Sequence, residues 1–410
     1  MKKAFLISLA MILALSMVLV GCPDPIEEPV EYFVLGHVVP FTGDLSFVGE
    51  EWENSTELAV EHINDAGGVL GRQIKVQYED SATTGAGAVD ALEKLITIDK
   101  VQALLGGTAS FEAIASMPKV KLNEVVFISP SATAPDITGM DHGGYFFRLC
   151  PSDLLQATAM GILARDKGYE TANVISRDDA YGQGLREVFK SSFVERGGTI
   201  GADVVYDAGA ADFSGYVSAV LAEPADVIVV NALMEDGVRL FKKFWDAGVI
   251  DDYGWIVCEG VQADAIPGEV EDATGGAFNM EGVMGATPYP VGTGPFRAAY
   301  FAKYGEHTWA YGPNVYDGFI LLALAIEHAG AYDGPAIAAS VWEVANPPGE
   351  PVSDVAAALE LIRDGVDIQY QGAGGEIVFD EYGDVWTSTA RVWEYQDGEI
   401  VYVDEIELIG

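Results

Sequence analysis

What most constrains this chain is an alternation that runs through most of its length: short apolar runs with strand character, separated by helix-like stretches that end at glycine. Residues 34–39 read as a buried strand. Residues 50–66 carry apolar positions at Trp52, Leu58, Ala59 and Ile63 and stop at Gly67-Gly68, the spacing and punctuation of a helix. A strand at 74–78, a helix near 87–98, a strand at 101–105, a helix around 111–122 and a strand at 125–128 follow. This βαβα order predicts a parallel sheet covered by helices on both faces.

The rhythm then restarts. A strand at 145–149 ends at Cys150-Pro151, where the proline has no backbone N–H to donate. The spacing predicts helices over 152–167, 185–195, 213–221 and 236–247, and strands at 172–176, 200–206, 227–230 and 255–258. A strand at 282–286 precedes helices at 295–304 and 315–329. The segments 376–379, 391–395 and 400–406 read as β-hairpin material, with turns at Tyr382-Gly383-Asp384 and Asp397-Gly398. Two α/β units joined by several chain crossings account for 410 residues.

Composition narrows the partners. With 22 Lys and Arg against 63 Asp and Glu, the formal charge is −41, which would repel a phosphate backbone, so no nucleic acid is expected. Most of these acids must be solvated. Two readings of the excess are open: plain solubility, and adaptation to a saline medium that screens the self-repulsion. Three cysteines cannot make a disulfide scaffold, and Cys150 and Cys258 sit in apolar strand-like contexts that favour two buried thiols.

The N-terminus reads as an address. Lys2 and Lys3 precede an uncharged run over residues 4–20, the layout of a secretory signal, although a short transmembrane anchor has a similar profile. The ending Leu19-Val20-Gly21-Cys22 decides for export, because it resembles the lipobox of bacterial lipoproteins, which implies a lipid on the Cys22 thiol and cleavage before it. Residues 1–21 are thus expected to be a signal peptide. Residues 22–31, with three prolines and several acids, would be an extended tether holding a soluble body near a membrane outside the cytoplasm.

Catalytic constellations are missing. No serine sits in G-x-S-x-G, and neither H-E-x-x-H nor G-x-x-x-x-G-K-[ST] occurs. His37, His62, His142, His307 and His328 lack metal-ligand spacing and are expected in surface or capping roles. Gly106-Gly107 lacks the third glycine of a dinucleotide site. No enzyme, cofactor or metal is expected.

What remains are polar clusters where open parallel sheets bind ligands, outside the carboxyl ends of the strands. These are Gly106-Gly107-Thr108-Ala109-Ser110, Ser129-Pro130-Ser131-Ala132-Thr133, Arg177-Asp178-Asp179-Ala180-Tyr181-Gly182 and Glu259-Gly260. Hydroxyls and free amides at helix starts suit a carboxylate, and a lone acid opposite them suits an ammonium. Each has an ordinary alternative. Ser110 can cap a helix, Ser131 and Thr133 can hold a turn, Tyr181 can pack at a helix start, and Glu259 can be one more solvated acid.

Phe127-Ile128-Ser129-Pro130-Ser131-Ala132-Thr133, Asp179-Ala180-Tyr181-Gly182-Gln183-Gly184 and Tyr316-Asp317-Gly318, in this order, resemble the type I periplasmic binding proteins of branched-chain amino acid ABC transporters. Residues 36–49 and Ile63-Asn64-Asp65-Ala66-Gly67-Gly68 fit the same pattern, so the resemblance runs from Tyr32 to the C-terminus. It implies two Rossmann-like lobes joined by a three-crossing hinge, one made of 32–149 and 283–385, the other of 150–282 and 386–410. It also implies capture of an amino acid, branched-chain or similar, by lobe closure and delivery to a membrane permease. A related small molecule (an amide, urea or aromatic acid) and a sensor role are the alternatives. Residue by residue, Ser110, Ser131, Ala132 and Thr133 match positions that grip the ligand's carboxylate and amine. Tyr181 matches a closing aromatic, Glu259 the partner of the α-ammonium, and Tyr311 an aromatic wall. The chain departs from leucine-type binders at Asn231-Ala232-Leu233-Met234, where a tyrosine is usual, and at Val48, where an aromatic is common.

Overall fold

A computed structural model describes residues 32–288, 292, 294–308 and 311–408. The expected signal peptide (1–21), the lipidated Cys22 and the tether (22–31) lie outside the described residues.

Strands β1 (Tyr32–Val39), β2 (Gln73–Asp80), β3 (Ala103–Leu105), β4 (Val126–Ser129) and β5 (Phe146–Arg148) form one sheet in the order β2-β1-β3-β4-β5. β3 lies parallel to β1 and β4, and β4 parallel to β5. Helices α1 (Gly49–Asp65), α2 (Gly85–Thr97) and α3 (Ser110–Asn123) link the first four strands.

The chain then crosses into a second sheet. Strands β6 (Thr171–Arg177), β7 (Thr199–Tyr206), β8 (Val227–Asn231), β9 (Gly254–Val257) and β10 (Met284–Pro288) alternate with α4 (Asp153–Asp166), which precedes β6, and with α5 (Ala180–Glu195), α6 (Ser214–Val220), α7 (Met234–Asp246) and α8 (Ile266–Thr274). β8 is buried at all five positions, as expected of a central parallel strand with both faces covered. Next come α9 (Phe296–Tyr304), α10 (Gly312–Ala329), α11 (Gly334–Ala345) and α12 (Val355–Arg363), with a small parallel pair, β11 (Glu350–Val352) and β12 (Ile368–Tyr370). β13 (Thr389–Gln396) and β14 (Glu399–Glu407) return antiparallel to the second sheet, whose full order is β14-β13-β10-β9-β8-β6-β7. Every residue of α10 from Gly312 to Ile326 is buried, yet no helix among the described residues is long and apolar enough to cross a membrane.

Four expectations need correcting. The resemblance puts residues 283–288 in the first lobe, but Met284 and Gly285 extend the parallel ladder onto Ile256 and Val257 of β9. The chain therefore leaves the second sheet after Pro288. Residues 376–379 form no strand and contribute only isolated bridges, Gln371 with Glu376 and Phe379 with Val385. Helices α8, α11 and α12 arise where no element was expected. The histidines are not uniformly superficial either: His37 is fully buried between Trp52, Tyr78 and Phe319, with Nδ1 on the Thr56 hydroxyl at 3.0 Å. Burial holds its pKa down at about 3, so it is neutral.

A buried ion pair ties the segment before β13 to the first sheet. Arg148, at the end of β5, has no solvent exposure. Its Nε and Nη2 donate to both Asp384 oxygens at 2.6 Å, Nη1 donates to the carbonyls of Ala132 and Ala134, and Nη2 also donates to Thr138 Oγ1. Cys150 and Cys258 are buried free thiols.

Candidate functional site

Both sheets reverse their strand order where the chain first doubles back. The first sheet does so between β1 and β3, the second between β6 and β8. At such switch points the loops at the strand carboxyl ends part and leave a crevice. Here the loops after β1, β3, β4, β6, β8 and β9 all contribute to a single cavity, the kind of concave, largely apolar site with a few polar groups that takes a small molecule.

The local sequence explains why these side chains arrive there. After β3, Gly107 adopts φ +66°, and a Cβ on it would lie 2.9 Å from that of Ala113. Glycine therefore lets the chain drop tightly into α3, which sets Thr108, Ala109 and Ser110 on the cavity wall. After β6, Asp179 caps α5 by accepting from Gly182 N at 2.9 Å, and it also pairs with Arg177. That cap turns Tyr181 inward. After β9, Glu259 starts a single 3-10 turn and faces the cavity beside Gly260.

Of the residues singled out in the sequence, Ser110, Ser131, Tyr181, Glu259 and Tyr311 line the cavity together. Ser110 Oγ accepts from Ala134 N at 3.0 Å, which leaves its O–H free to donate. Ser131 spends its proton on the Thr108 carbonyl at 2.7 Å. The Tyr181 hydroxyl accepts from Gly260 N at 3.2 Å and so holds the Glu259 turn in place. Ala132 and Thr133, expected beside Ser131, do not line the cavity. The Ala132 N–H is bonded to Ser129 Oγ and its carbonyl to Arg148, so its backbone is already satisfied. Thr133 accepts from Asp153 N through its carbonyl, while its buried hydroxyl has no partner.

The structure adds Leu45, Trp52 and Phe111, which the sequence did not single out, and places Thr108, Val48 and Leu233, which it did, on the same wall. Thr108 Oγ1 is buried on the cavity wall without a hydrogen-bond partner. Leu45, Val48, Trp52, Phe111 and Leu233 make the rest of the wall apolar. Asp153, the first residue of α4, is 1% exposed, and neither of its carboxyl oxygens has a partner; Glu259 Oε2 is likewise unpaired. Thr133 approaches Asp153 without closing a bond of ordinary geometry.

Electrostatics follow from that burial. Desolvation first, and then the charge of Glu259, push the Asp153 carboxyl well above the usual carboxylate range. Desolvation pushes Glu259 up too, against the lowering pull of the nearby Tyr181 hydroxyl and Gln156 amide. Two buried carboxyls within each other's field do not both ionise readily. Asp153 also feels Arg148, but that guanidinium is already bound to Asp384. A cation entering the cavity would meet uncompensated negative charge on one side and hydroxyl donors on the other. Among the described residues no group of His, Cys, Asp and Glu is arranged to hold a metal ion.

Comparison with known proteins bears on this architecture. A family model described as periplasmic binding protein matches residues 33–380. A Leu/Ile/Val-binding protein homolog from Brucella melitensis is 27% identical over 383 residues, covering 90% of this chain and 92% of the relative. The crystal structure of a leucine-binding protein LivK from Thermotoga maritima superposes with a TM-score of 0.76 at 24% identity, over 92% of this chain and 99% of that one. A solute-binding protein of an ABC transporter from Rhodopseudomonas palustris, solved with 3,4-dihydroxybenzoic acid, superposes at 0.74 with 21% identity, over 92% and 98%. With two switch-point sheets around one cavity, and a family match spanning nearly all the described residues, the chain belongs to the periplasmic binding protein family.

Proposed function

We propose that this protein is an extracytoplasmic solute-binding lipoprotein, anchored through Cys22, that captures an α-amino acid with an apolar side chain and hands it to an ABC transporter permease. The observation that carries the reading is the unpaired, buried Glu259 across the cavity from the Ser110 and Thr108 hydroxyls. An α-amino acid brings an ammonium to the acid and a carboxylate to the donors, so each buried group gains a partner. The walls of Leu45, Val48, Trp52 and Leu233 suit a branched aliphatic side chain. Ligand held on the first-sheet wall would draw Tyr181 and Glu259 onto it, shifting the protein toward a closed form that docks on the permease. The relatives named as Leu/Ile/Val-binding support this choice.

A second reading is an aromatic acid, favoured by the aromatic lining of Trp52, Phe111 and Tyr311 and by the neighbour that holds 3,4-dihydroxybenzoic acid. Such a ligand has a carboxylate but no ammonium. It would bind only with Glu259 and Asp153 protonated, because an unpaired buried charge costs several kcal/mol.

A thermal-shift screen of the mature protein against the proteinogenic amino acids and hydroxybenzoates, run at pH 8 and pH 5, tests the two readings. Burial raises both carboxyl pKa values in the empty site, so one proton stays on the pair to a higher pH than in an unfolded chain. An ammonium expels that proton. Amino-acid affinity is therefore expected to fall as pH drops toward 5, by up to about tenfold per unit for one proton released. The ligand-free protein behaves oppositely, because a carboxyl whose pKa rises on folding contributes most below its unfolded value. That contribution is lost as pH climbs through the raised one. Stabilisation by hydroxybenzoates alone, stronger at pH 5, would replace the first reading by the second.

A further inference from the structure

We propose that Gly184 is a positioning residue for capture: its missing side chain is what allows the two sheets' halves to close on each other. This rests on the reading above, that capture works by closure over the cavity. Gly184 lies in α5 of the second half, and Pro135 opens the 3-10 turn Pro135–Ile137 between β4 and β5 of the first. A Cβ placed on Gly184 would stand 2.6 Å from Pro135 Cδ and 3.5 Å from Cγ, and its three nearest neighbours all belong to that proline. Contacts under 3.0 Å essentially never occur for real Cβ atoms, so with any other residue at 184 something at this contact must shift.

Neither side is free to yield. Proline is a rigid ring, and its turn is pinned at both ends. Ala134 N donates to Ser110 Oγ, the Ala134 carbonyl accepts from Arg148 at 3.1 Å, and Thr138 Oγ1 donates to Asp384 at 2.6 Å. Opposite, the start of α5 is held by the Asp179 cap, and Ala180 packs onto the core of the first half. The seam continues to Arg177, whose Nη2 lies 3.8 Å from Asp44 after β1. Because Asp179 and Tyr181 of the same turn line the cavity, a gap at Gly184 opens the cavity as well.

Gly182, two residues earlier, is a useful contrast. A Cβ there would strike the Arg177 carbonyl at 2.4 Å, within its own half, so that glycine serves the fold. At Gly184 the three nearest atoms all belong to the other half. In an ordinary helix Gly→Ala is stabilising, because alanine loses less backbone freedom. Gly184→Ala is therefore expected to move stability and affinity in opposite directions.

The experiment is calorimetric titration with L-leucine, alongside ligand-free thermal melts, of the wild type, Gly184→Ala, Gly184→Val and Gly184→Ala/Pro135→Ala. Gly184→Ala should melt at the wild-type temperature or about 1–2 °C higher and bind at least about tenfold more weakly. Gly184→Val should bind weaker still. The double variant, which removes the offending Cδ, should recover most of the affinity. Wild-type affinity in both single variants overturns the proposal, and so does a fall of several degrees in their ligand-free melting temperature, which would make Gly184 a fold position. If L-leucine does not bind the wild type, the amino-acid reading fails and small-angle scattering of ligand-free protein decides this one. A larger radius of gyration in Gly184→Trp than in the wild type supports it, and equal radii overturn it.

Discussion

Glu259→Gln is expected to weaken L-leucine binding by about 2–5 kcal/mol, roughly thirtyfold to several thousandfold, measured by calorimetry at pH 7.5. The substitution keeps the shape of the side chain and removes its charge. Glu259 Oε2 is buried without a partner, so on the proposed reading an incoming ammonium would displace the proton that burial favours there and pair with the carboxylate. Glutamine offers that ammonium only a carbonyl dipole. The empty protein should respond the other way, because Glu259 also raises the Asp153 carboxyl by repulsion. With that charge gone, the ligand-free melting temperature should hold or rise. Loss of affinity together with loss of stability would mean that Glu259 supports the fold instead. Unchanged affinity would remove it from the site.

The largest stability effect is expected at Arg148. Replacing it by Met should cost about 3–5 kcal/mol, read from denaturant midpoints, because one partner of a buried pair is left charged and alone. Asp384 loses a two-pronged donor, and the carbonyls of Ala132 and Ala134 and the Thr138 hydroxyl lose theirs. Arg148→Met/Asp384→Leu removes both charges and should recover part of the loss. If Arg148→Met alone is as stable as the wild type, this cluster does not brace the Ser131–Thr133 turn or Pro135. Affinity should fall as well, since Ser131 and the Ala134 contact to Ser110 both depend on that brace.

Much of the fold was legible because parallel strands announce themselves as apolar runs between helices, as at 227–230. Where that alternation stopped, the reading stopped too. Helices α11 and α12 follow one another around a three-residue strand, so no strand rhythm marked them. Yet Asp333 and Asp354 cap them by accepting from Ala336 N and Ala357 N, and those caps, with the apolar stripes Ile337-Val341-Val344 and Val355-Ala358-Leu359, were there to be read. The spacing predicts the start of α5 at 185, five residues late; Gly182 and Gly184 weaken the helical pattern there, although one lies at the cap and the other at a close approach to Pro135. His37 sits inside β1, where six of eight residues are buried, so its burial could have been inferred from its neighbours.

In the site, polar residues directly at strand ends were legible, because topology alone brings strand ends together. Trp52 was not, since a tryptophan on the apolar face of α1 reads as core. Asp153 was not either: it starts a helix, where an acid is ordinary. What makes it unusual is the crossing that buries it near Glu259, which depends on how two distant segments pack. Ala132 and Thr133 match the family pattern beside Ser131, and only the structure shows their backbones bonded within the fold, Ala132 N to Ser129 Oγ and the Thr133 carbonyl to Asp153 N.

The most direct test of a two-pole cavity is titration with L-leucine and with its two truncated forms, 4-methylpentanoate, which lacks the ammonium, and isopentylamine, which lacks the carboxylate. The predicted result is that leucine binds and each truncated form binds at least about a hundredfold more weakly, since either loss leaves a buried polar group unpaired. Equal binding of 4-methylpentanoate and leucine would contradict the role given to Glu259.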